Sequence, residues 1–250
     1  MTHTNGSVWK TSYDGLGNVA VATDPLGAKT TYVHDTAGLL TSSLDARAIT
    51  TAHGYDTAGR LASIATPSAT IATTYDPAGR RATMTAPTGT TAYGYDTAGR
   101  LASVSGPGAN AAYTYDPAGN RATMTASGKT TTYTYNSTER LATVSRPGLG
   151  SFGFAYNDDG ALTTLTRPNG VTSTNSHDAA GRLTGLTYKN AGGTTIAAYA
   201  YTLDSAGNRT SATTAGSGIA AGTEHYTLDT VGRLTGVTYA DGTAVSFGYG

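Results

Sequence analysis

The sequence contains no cysteine in its 250 residues, which excludes disulfide frameworks, thiolate metal sites and cysteine nucleophiles. It is also poor in the usual core residues: Leu, Ile, Val and Phe together number 34, fewer than the 49 threonines. Charged residues make up only 13% of the chain, and the formal net charge is zero. Such a chain cannot assemble a large basic face, and none of its apolar runs approaches the about 18 residues of a membrane helix. We therefore expect no nucleic-acid partner and no membrane span.

The abundant residues, Thr, Gly and Tyr, recur in a short repeat. The repeat is based on the pattern Tyr-Asp-x-x-Gly, and eleven copies follow one another at intervals of 20 to 26 residues. The residues in the aspartate position are Asp14, Asp35, Asp56, Asp76, Asp96, Asp116, Asn136, Asn157, Asp178, Asp204 and Asp229. We call these residues the anchors. Eleven copies of one short pattern indicate a tandem-repeat protein.

The repeated motif predicts a tight turn. Asp at the first position of a turn accepts hydrogen bonds from nearby backbone N–H groups, and Gly at the fourth position tolerates positive φ. We therefore predict that the tyrosines and glycines around the anchors are structural residues as well. They are Tyr13, Tyr55, Tyr75, Tyr95, Tyr115, Tyr135, Tyr156, Gly59, Gly79, Gly99, Gly119, Gly181, Gly207 and Gly232.

Each repeat contains a second turn signal, rich in Pro and Gly, about ten residues after the first. Between the two turns lie five to seven residues dense in Thr, Tyr and Val, which favour strands. One repeat is therefore predicted to be a β-hairpin. Eleven hairpins give an all-β fold, an antiparallel meander of about 22 strands, curved or spiralling as part of a β-shell. We expect one repeat array over residues 1–250, incomplete at both ends because the chain starts and stops inside a repeat.

The apolar side chains also follow the repeat. Tyr occupies the positions one and three residues before the anchor, which lie on the same face of a strand, so the rings are expected to stack beside their equivalents in neighbouring repeats. After the turn, Leu61 and Ile64 are three residues apart, as are Leu101 and Val104. An offset of three places two side chains on opposite faces unless a bulge intervenes. We therefore expect apolar residues on both faces of the return strand.

No catalytic, cofactor-binding or metal-binding pattern stands out against the repeat. His34 and His177 stand directly before an anchor, where other repeats have tyrosine, and His53 stands three residues before Asp56, in the other tyrosine position. The pair Asp158 and Asp159 lacks the ligand spacing of a calcium loop. No nucleophile elbow, phosphate-binding loop or paired-histidine motif is present. We expect no enzymatic activity and no cofactor.

The repeats Tyr55 to Leu61 and Tyr95 to Leu101, both YDTAGRL, resemble the YD repeat of the RHS (rearrangement hotspot) family. That family includes the BC components of insecticidal Tc toxins and the teneurins, and the resemblance extends over the whole chain. It implies an antiparallel sheet that spirals into a hollow shell around a C-terminal toxin domain in bacterial members. The implied role is containment and presentation, used in bacterial competition or host targeting, without chemistry in the repeats.

The resemblance also implies partners and a location. The expected partners are the remainder of the shell and the enclosed toxin domain of a longer parent chain. The parent is expected to be secreted or at the cell surface, although we expect no signal peptide in this chain. The alternative is a cell-surface glycan-binding or adhesion module, in which sugars or a receptor would bind exposed rings. Buried rings favour the shell, and rings that extend into solvent favour glycan binding.

Overall fold

The structure, a computed structural model, describes residues 8–250 apart from the side chain of residue 109. Its regular elements within that range are all β-strands, which confirms the predicted all-β fold. In the described residues there is consequently no helix long and apolar enough to cross a membrane. The described strands number 23, where counting repeats predicted about 22. They are β1 (Lys10–Tyr13), β2 (Val19–Thr23), β3 (Lys29–His34), β4 (Leu40–Leu44), β5 (Thr50–Tyr55), β6 (Leu61–Thr66), β7 (Ala69–Tyr75), β8 (Arg81–Ala86), β9 (Gly89–Tyr95), β10 (Leu101–Gly106), β11 (Ala109–Tyr115), β12 (Arg121–Ala126), β13 (Lys129–Tyr135), β14 (Leu141–Arg146), β15 (Gly150–Tyr156), β16 (Leu162–Thr166), β17 (Thr172–His177), β18 (Leu183–Lys189), β19 (Thr195–Leu203), β20 (Arg209–Ala215), β21 (Gly222–Leu228), β22 (Leu234–Thr238) and β23 (Ala244–Ser246).

The chain divides into two compact units, Met1–Tyr113 and Thr114–Gly250, and the boundary falls inside β11. In the first unit each strand from β1 to β10 pairs antiparallel with the next strand in sequence. In the second unit the same holds from β12 to β23. Each unit is thus an antiparallel meander, as the hairpin repeat predicts.

The anchor turns all close in the same way. In the first of the two central repeats, the N–H of Asp56 donates to the carbonyl of Arg60 at 2.9 Å, and the N–H of Gly59 donates to the carbonyl of Asp56 at 2.9 Å. Gly59 has a φ of 74°, in the region where glycine has no steric penalty. Within each unit the anchor turns join alternate strand pairs, so they lie along one edge of the meander and the Pro- and Gly-rich turns lie along the other.

A β-bulge follows the anchor turn in every such hairpin whose strand register is described. Tyr55 pairs with Leu61 while Gly54 pairs with Ser63, so Ala62 is left as an extra residue on the return strand. The same shift recurs in ten hairpins, from the pairing of β1 with β2 to that of β21 with β22. It reverses the side-chain alternation between Leu61 and Ile64. The expectation of apolar residues on both faces was therefore wrong, because the bulge brings both side chains to one face.

The bulge produces two faces of different chemistry. We call one the tyrosine face; it carries the tyrosines one and three residues before each anchor together with Leu, Ile, Val, Met and Arg of the return strand. Tyr93 on this face pairs with Val104, for example. The opposite face, the hydroxyl face, carries mostly Thr and Ser, such as Thr134 paired with Thr143.

Neither unit has a conventional core. The buried apolar residues of the described chain are small or isolated: Ala197, Ala212 and Val237, with relative exposures of 7 to 8%. No described large side chain is fully buried. Stability must therefore come from contacts between neighbouring strands and repeats rather than from a central core.

The glycine position of the anchor turn gives a first prediction. Gly181 has a φ of 77° with open space around its Cα, so Gly181→Ala should lower the unfolding free energy by about 1 kcal/mol through backbone strain alone. The anchor turn at Asn136 already has a side chain in this position, Glu139, with a φ of 60°. Glu139→Gly should therefore raise stability by a similar amount. Urea unfolding of the two variants measures both changes.

The matched control for these changes is Gly15→Ala. Gly15 lies in an anchor turn in open space, but it is not among the positive-φ residues. Its replacement should leave the urea midpoint unchanged or slightly raised. Equal effects of Gly181→Ala and Gly15→Ala would show that φ does not control these turns.

Candidate functional site

The functional unit of the repeat begins at the anchor carboxylate. Asp56 Oδ1 accepts hydrogen bonds from the N–H groups of Ala58 and Arg60, both at 2.9 Å, and Oδ2 accepts one from Arg60 Nε at 2.7 Å. Both carboxylate oxygens are thus used inside the turn. The guanidinium of Arg60 is held against its own anchor by this bond.

The same arginine contacts the next repeat. Arg60 lies over the ring of Tyr75, 4.4 Å from the ring centroid. The Tyr75 hydroxyl in turn donates to the carbonyl of Leu61 at 2.8 Å, back in the repeat that contains Arg60. Asp56, Arg60 and Tyr75 therefore form one chain of contacts that joins two successive repeats.

In each unit this inter-repeat contact recurs along the edge that carries the anchor turns. Arg80 lies 4.4 Å from the ring of Tyr95 and Arg233 lies 4.5 Å from that of Tyr249. The anchor-to-arginine ion pair is present at Asp56, Asp76, Asp96, Asp178 and Asp229, with N–O distances of 2.6 to 2.8 Å. The tyrosine hydroxyl bond to the preceding repeat is formed by Tyr55, Tyr75, Tyr95, Tyr135 and Tyr249.

A second version of the contact uses asparagine. Where Asn follows the anchor by four residues, its amide donates to the anchor carboxylate, as Asn208 does to Asp204 at 3.0 Å. In the repeats of Asp116 and Asp204 the arginine then stands one position later. Arg209 lies 4.1 Å from the ring of Tyr201, and Arg121 lies 4.4 Å from that of Tyr133. The position of the arginine thus decides which tyrosine it covers. Four residues after the anchor, as at Arg60, it lies over the tyrosine directly before the next anchor; five residues after the anchor, as at Arg121, it lies over a tyrosine three residues before an anchor.

The other predicted anchors lie in equivalent places. Asp35 accepts bonds from the backbone of Ala37 and Leu39, both at 2.9 Å. Asp116 accepts one from the N–H of Asn120 at 2.8 Å. Asp14 accepts a bond from the N–H of Asn18, and Tyr13 before it is 63% exposed at the end of β1.

The other predicted tyrosines and glycines also lie at the anchor turns. Tyr115 ends β11 and is half-buried, and the ring of Tyr156 lies 5.9 Å from Arg140. The predicted glycines have φ between 81° and 96° at Gly79, Gly99, Gly119, Gly207 and Gly232.

Two divergent repeats show that the hydrogen bond to the preceding repeat is kept when the surrounding sequence changes. Tyr249 has no anchor after it, yet its hydroxyl donates to the carbonyl of Leu234 at 2.7 Å. In the repeat before Asp178, Asn175 takes over the hydrogen bond, and its amide donates to the carbonyl of Leu162 at 3.0 Å. The bond to the preceding repeat is therefore retained when the residue that supplies it changes.

The sequence predictions missed the partner of the tyrosine rings. The rings were expected to stack on one another, but their described partners are arginines of the same or the preceding repeat, such as Arg60 for Tyr75. The signal was present in the sequence, since Arg follows the anchor by four or five residues in most repeats.

The electrostatics of the anchors follow from these bonds. The N–H of the arginine four residues later holds the pKa of Asp56, Asp96, Asp178 and Asp229 below the ordinary value, aided by the arginine side chain and opposed by partial desolvation. A different cause acts at Tyr226, whose hydroxyl donates to Glu224 at 2.7 Å, and this bond raises the pKa of Tyr226. The lowered carboxylate values indicate structural anions fixed in the charged state.

The described residues contain no group of three or more His, Asp or Glu placed to hold a metal ion. His34 Nδ1 lies 3.7 Å from Asp14 Oδ2, where another repeat would have a tyrosine beside the preceding anchor turn. Asp158 and Asp159 are exposed in their turn. The contacts described above join neighbouring hairpins, and each unit exposes the tyrosine face and the hydroxyl face.

Comparison with known proteins points to one kind of architecture. The Teneurin YD-shell family model matches residues 71–191, and the RHS Repeat family model matches residues 13–50 and 34–71. No curated protein matches the sequence. Among solved structures, the chain is similar to TcdB2-TccC3, with 16% identity and a TM-score of 0.64 over 92% of this chain and 14% of that one. The Photorhabdus luminescens Tc holotoxin pore is similar to it with 17% identity and a TM-score of 0.64, over 92% and 13%.

A third similar structure is TcdB2-TccC3 without its hypervariable C-terminal region, with 16% identity, a TM-score of 0.64, and coverage of 92% of this chain and 14% of that one. The chain thus spans about one seventh of the length of these proteins. At such identity the similarity shows the fold.

The inter-repeat hydrogen bond gives a second prediction. Tyr75→Phe keeps the ring under Arg60 but removes the bond to the Leu61 carbonyl, so the unfolding free energy should fall by about 1 kcal/mol. Tyr188→Phe is the matched control: its ring also has an arginine over it, Arg167 at 5.7 Å, and no hydrogen bond of its hydroxyl is described. Urea unfolding should show no loss for Tyr188→Phe. An equal loss of unfolding free energy in both variants would show that the inter-repeat hydrogen bond is not its cause.

The lowered anchor pKa values give a third prediction. A folded-state pKa below the unfolded value of about 3.9 contributes stability that is present above that pH and is lost as the pH falls through the folded value. The urea midpoint should therefore be level between about pH 7 and 5 and fall below about pH 4.

An anchor variant isolates this contribution. Asn136 accepts backbone bonds from Thr138 at 3.0 Å and Arg140 at 2.9 Å, so Asn can fill an anchor position without titrating. The double variant Asp56→Asn, Asp96→Asn should lose less stability between pH 5 and 3 than the native chain, in the same urea assay. An unchanged acid slope would contradict the assignment.

Proposed function

Since this chain matches the Teneurin YD-shell family model over residues 71–191 and the RHS Repeat family model over residues 13–50 and 34–71, we propose that it is a non-enzymatic segment of a β-shell that encloses and presents a C-terminal toxin domain. The observation that carries the proposal is the contact from Asp56 through Arg60 to Tyr75, repeated along the array. Where this contact is formed, it joins one repeat to the next at the edge that carries the anchor turns. Such contacts extend a sheet one repeat at a time, which is what the wall of a shell requires.

The absence of a conventional core supports a wall rather than a self-contained domain. In each unit the described side chains lie on one of two sheet faces or in the turns, and no large one is fully buried. A sheet of this kind gains stability when further strands pair with it and when its faces are sheltered from water. The longer relatives supply a context of that kind, because this chain matches only 14% of TcdB2-TccC3.

The enclosed toxin is the finer part of the proposal. One similar structure is named as TcdB2-TccC3 without its hypervariable C-terminal region. If this chain is part of such a shell, its partner is a variable domain at the C-terminus of a longer parent chain. In this reading the parent acts in bacterial competition or on a host, and it is secreted or at the cell surface.

The alternative, a glycan-binding or adhesion surface, requires rings that are open to solvent. Three of the seventeen tyrosines are exposed: Tyr13, Tyr239 and Tyr249. The other fourteen are half-buried, and several lie under arginines. Ring burial thus favours the shell, while the three exposed rings remain available to a receptor or glycan.

A protease-protection experiment tests the proposal. The full natural polypeptide that contains these repeats is purified, and its C-terminal domain is followed during limited proteolysis. We expect the domain to persist in the native protein and to be digested rapidly once the shell is opened with urea. Electron microscopy of the same sample should show a hollow particle with density inside it.

Two results would contradict the proposal. Digestion of the C-terminal domain at the same rate before and after opening would show that the domain is outside the wall. Particles without a cavity would exclude a shell. Specific binding of soluble glycans together with either result would favour the surface-binding alternative.

A further inference from the structure

The two faces differ in the size of their side chains. In the first unit the hydroxyl face of β6 to β10 consists of Ser, Thr, Ala and Gly alone, as the registers show. In the second unit the hydroxyl face of β12 to β17 has the same composition. Over the same strands the tyrosine face carries the Tyr, Phe, Leu, Ile, Met, Val and Arg side chains.

Hydroxyl groups of the small-residue face are paired with each other across strands. Thr134 and Thr143 lie 2.7 Å apart between their Oγ1 atoms, and Thr85 and Thr90 lie 2.9 Å apart. The same pairing joins Thr74 to Thr83, Thr125 to Thr130 and Thr202 to Ser211 at 2.6 to 2.8 Å. Each such bond satisfies a donor within the sheet. The small-residue face of these strands therefore carries no charged side chain and uses part of its hydroxyl groups within the sheet.

The tyrosine face has the opposite character. Arg81 and Arg121 lie over the rings of Tyr93 and Tyr133, at 5.7 and 4.4 Å. Neither they nor Arg146, on the same face, forms an ion pair in the part of the chain that the structure describes. This face therefore carries free guanidinium groups, which would bind the carboxylates of any polypeptide lying against them.

From these differences we propose that the hydroxyl face is the inner, concave face of the shell wall and lies against the enclosed polypeptide, while the tyrosine face is outer. The inference rests on the proposed function. Its partner is polypeptide of any charge, because a neutral lining with paired hydroxyls neither attracts nor repels a particular sequence. An uncharged inner face is thus compatible with an enclosed polypeptide of either sign of charge.

Curvature supports this orientation. A shell that holds a domain of about 100 residues needs an inner radius of about 17 Å. With strands about 4.8 Å apart at the backbone, side chains that reach about 5 Å inward would be about 3.7 Å apart across strands, less than the separation of about 4.5 Å or more that packed ring centroids prefer. Short Thr, Ser, Ala and Gly side chains avoid this crowding. On the outer side the spacing widens, which leaves room for arginine to lie over a ring.

The absence of cysteine makes the test direct. Thr131 and Thr132 are neighbours on β13; Thr131 lies on the tyrosine face opposite Met124, and Thr132 lies on the hydroxyl face opposite Thr123. In this structure Thr132 is exposed and Thr131 half-buried. In an open sheet, a cysteine at position 132 should therefore be labelled faster than one at position 131. In a closed shell with the proposed orientation, the cysteine at position 131 should be labelled faster.

The experiment places one cysteine at a time in the full natural polypeptide and measures labelling by a bulky PEG-maleimide. We expect Thr132→Cys to react about tenfold more slowly than Thr131→Cys in the native protein and equally fast in urea. Thr74→Cys and Thr73→Cys form a second pair on β7 with the same arrangement, Thr73 opposite Met84 and Thr74 opposite Thr83. The second pair keeps the test valid if one variant fails to fold.

The outcomes separate the two proposals. Slow labelling of Thr131→Cys and Thr73→Cys with fast labelling of their neighbours would reverse the orientation and overturn this inference, while enclosure would stand. Fast labelling of all four variants would overturn the inference together with the shell, since no face would be enclosed. Slow labelling of all four would also overturn it, because the tyrosine face would then be covered too.

Discussion

The structure depends on the contact that joins each repeat to the next. A sheet without a conventional core has nothing to hold its hairpins together except strand pairing and side-chain contacts between neighbours. Arg60 supplies the side-chain part, because its guanidinium is fixed by Asp56 on one side and covers Tyr75 on the other. The anchor therefore has a role beyond its own turn: it orients the arginine that reaches the following repeat.

The same geometry explains the composition. Long aliphatic residues are scarce because rings and guanidinium groups cover the tyrosine face, and the hydroxyl face needs only short side chains. The bulge after each anchor turn separates these two sets, since it places Leu101 and Val104 on the face that carries Tyr93 and Tyr95. Without that extra residue, the apolar side chains of the return strand would be divided between both faces.

The hairpins and anchor turns could be predicted from the sequence because they depend on residues close together along the chain. Asp56 and Gly59 specify their turn within four residues. The bulge could not be predicted, because an offset of three fits either a bulge or a strand with two apolar faces. The arginine contact was missed for a different reason: Arg60 and Tyr75 belong to successive repeats, and their proximity depends on the register of the intervening strands.

Repetition also explains why individual repeats can diverge. Asn replaces Asp at Asn136 and keeps the backbone bonds of the turn, and Asn175 replaces the tyrosine hydroxyl as donor to the preceding repeat. In a structure whose stability is a sum over neighbouring repeats, one weaker contact lowers the total by a small amount and leaves the others unchanged. Each position must therefore provide a particular geometry, which more than one residue type can supply. A wall built this way can lengthen by further repeats without a new core, which is why so few long apolar residues suffice for 250 positions.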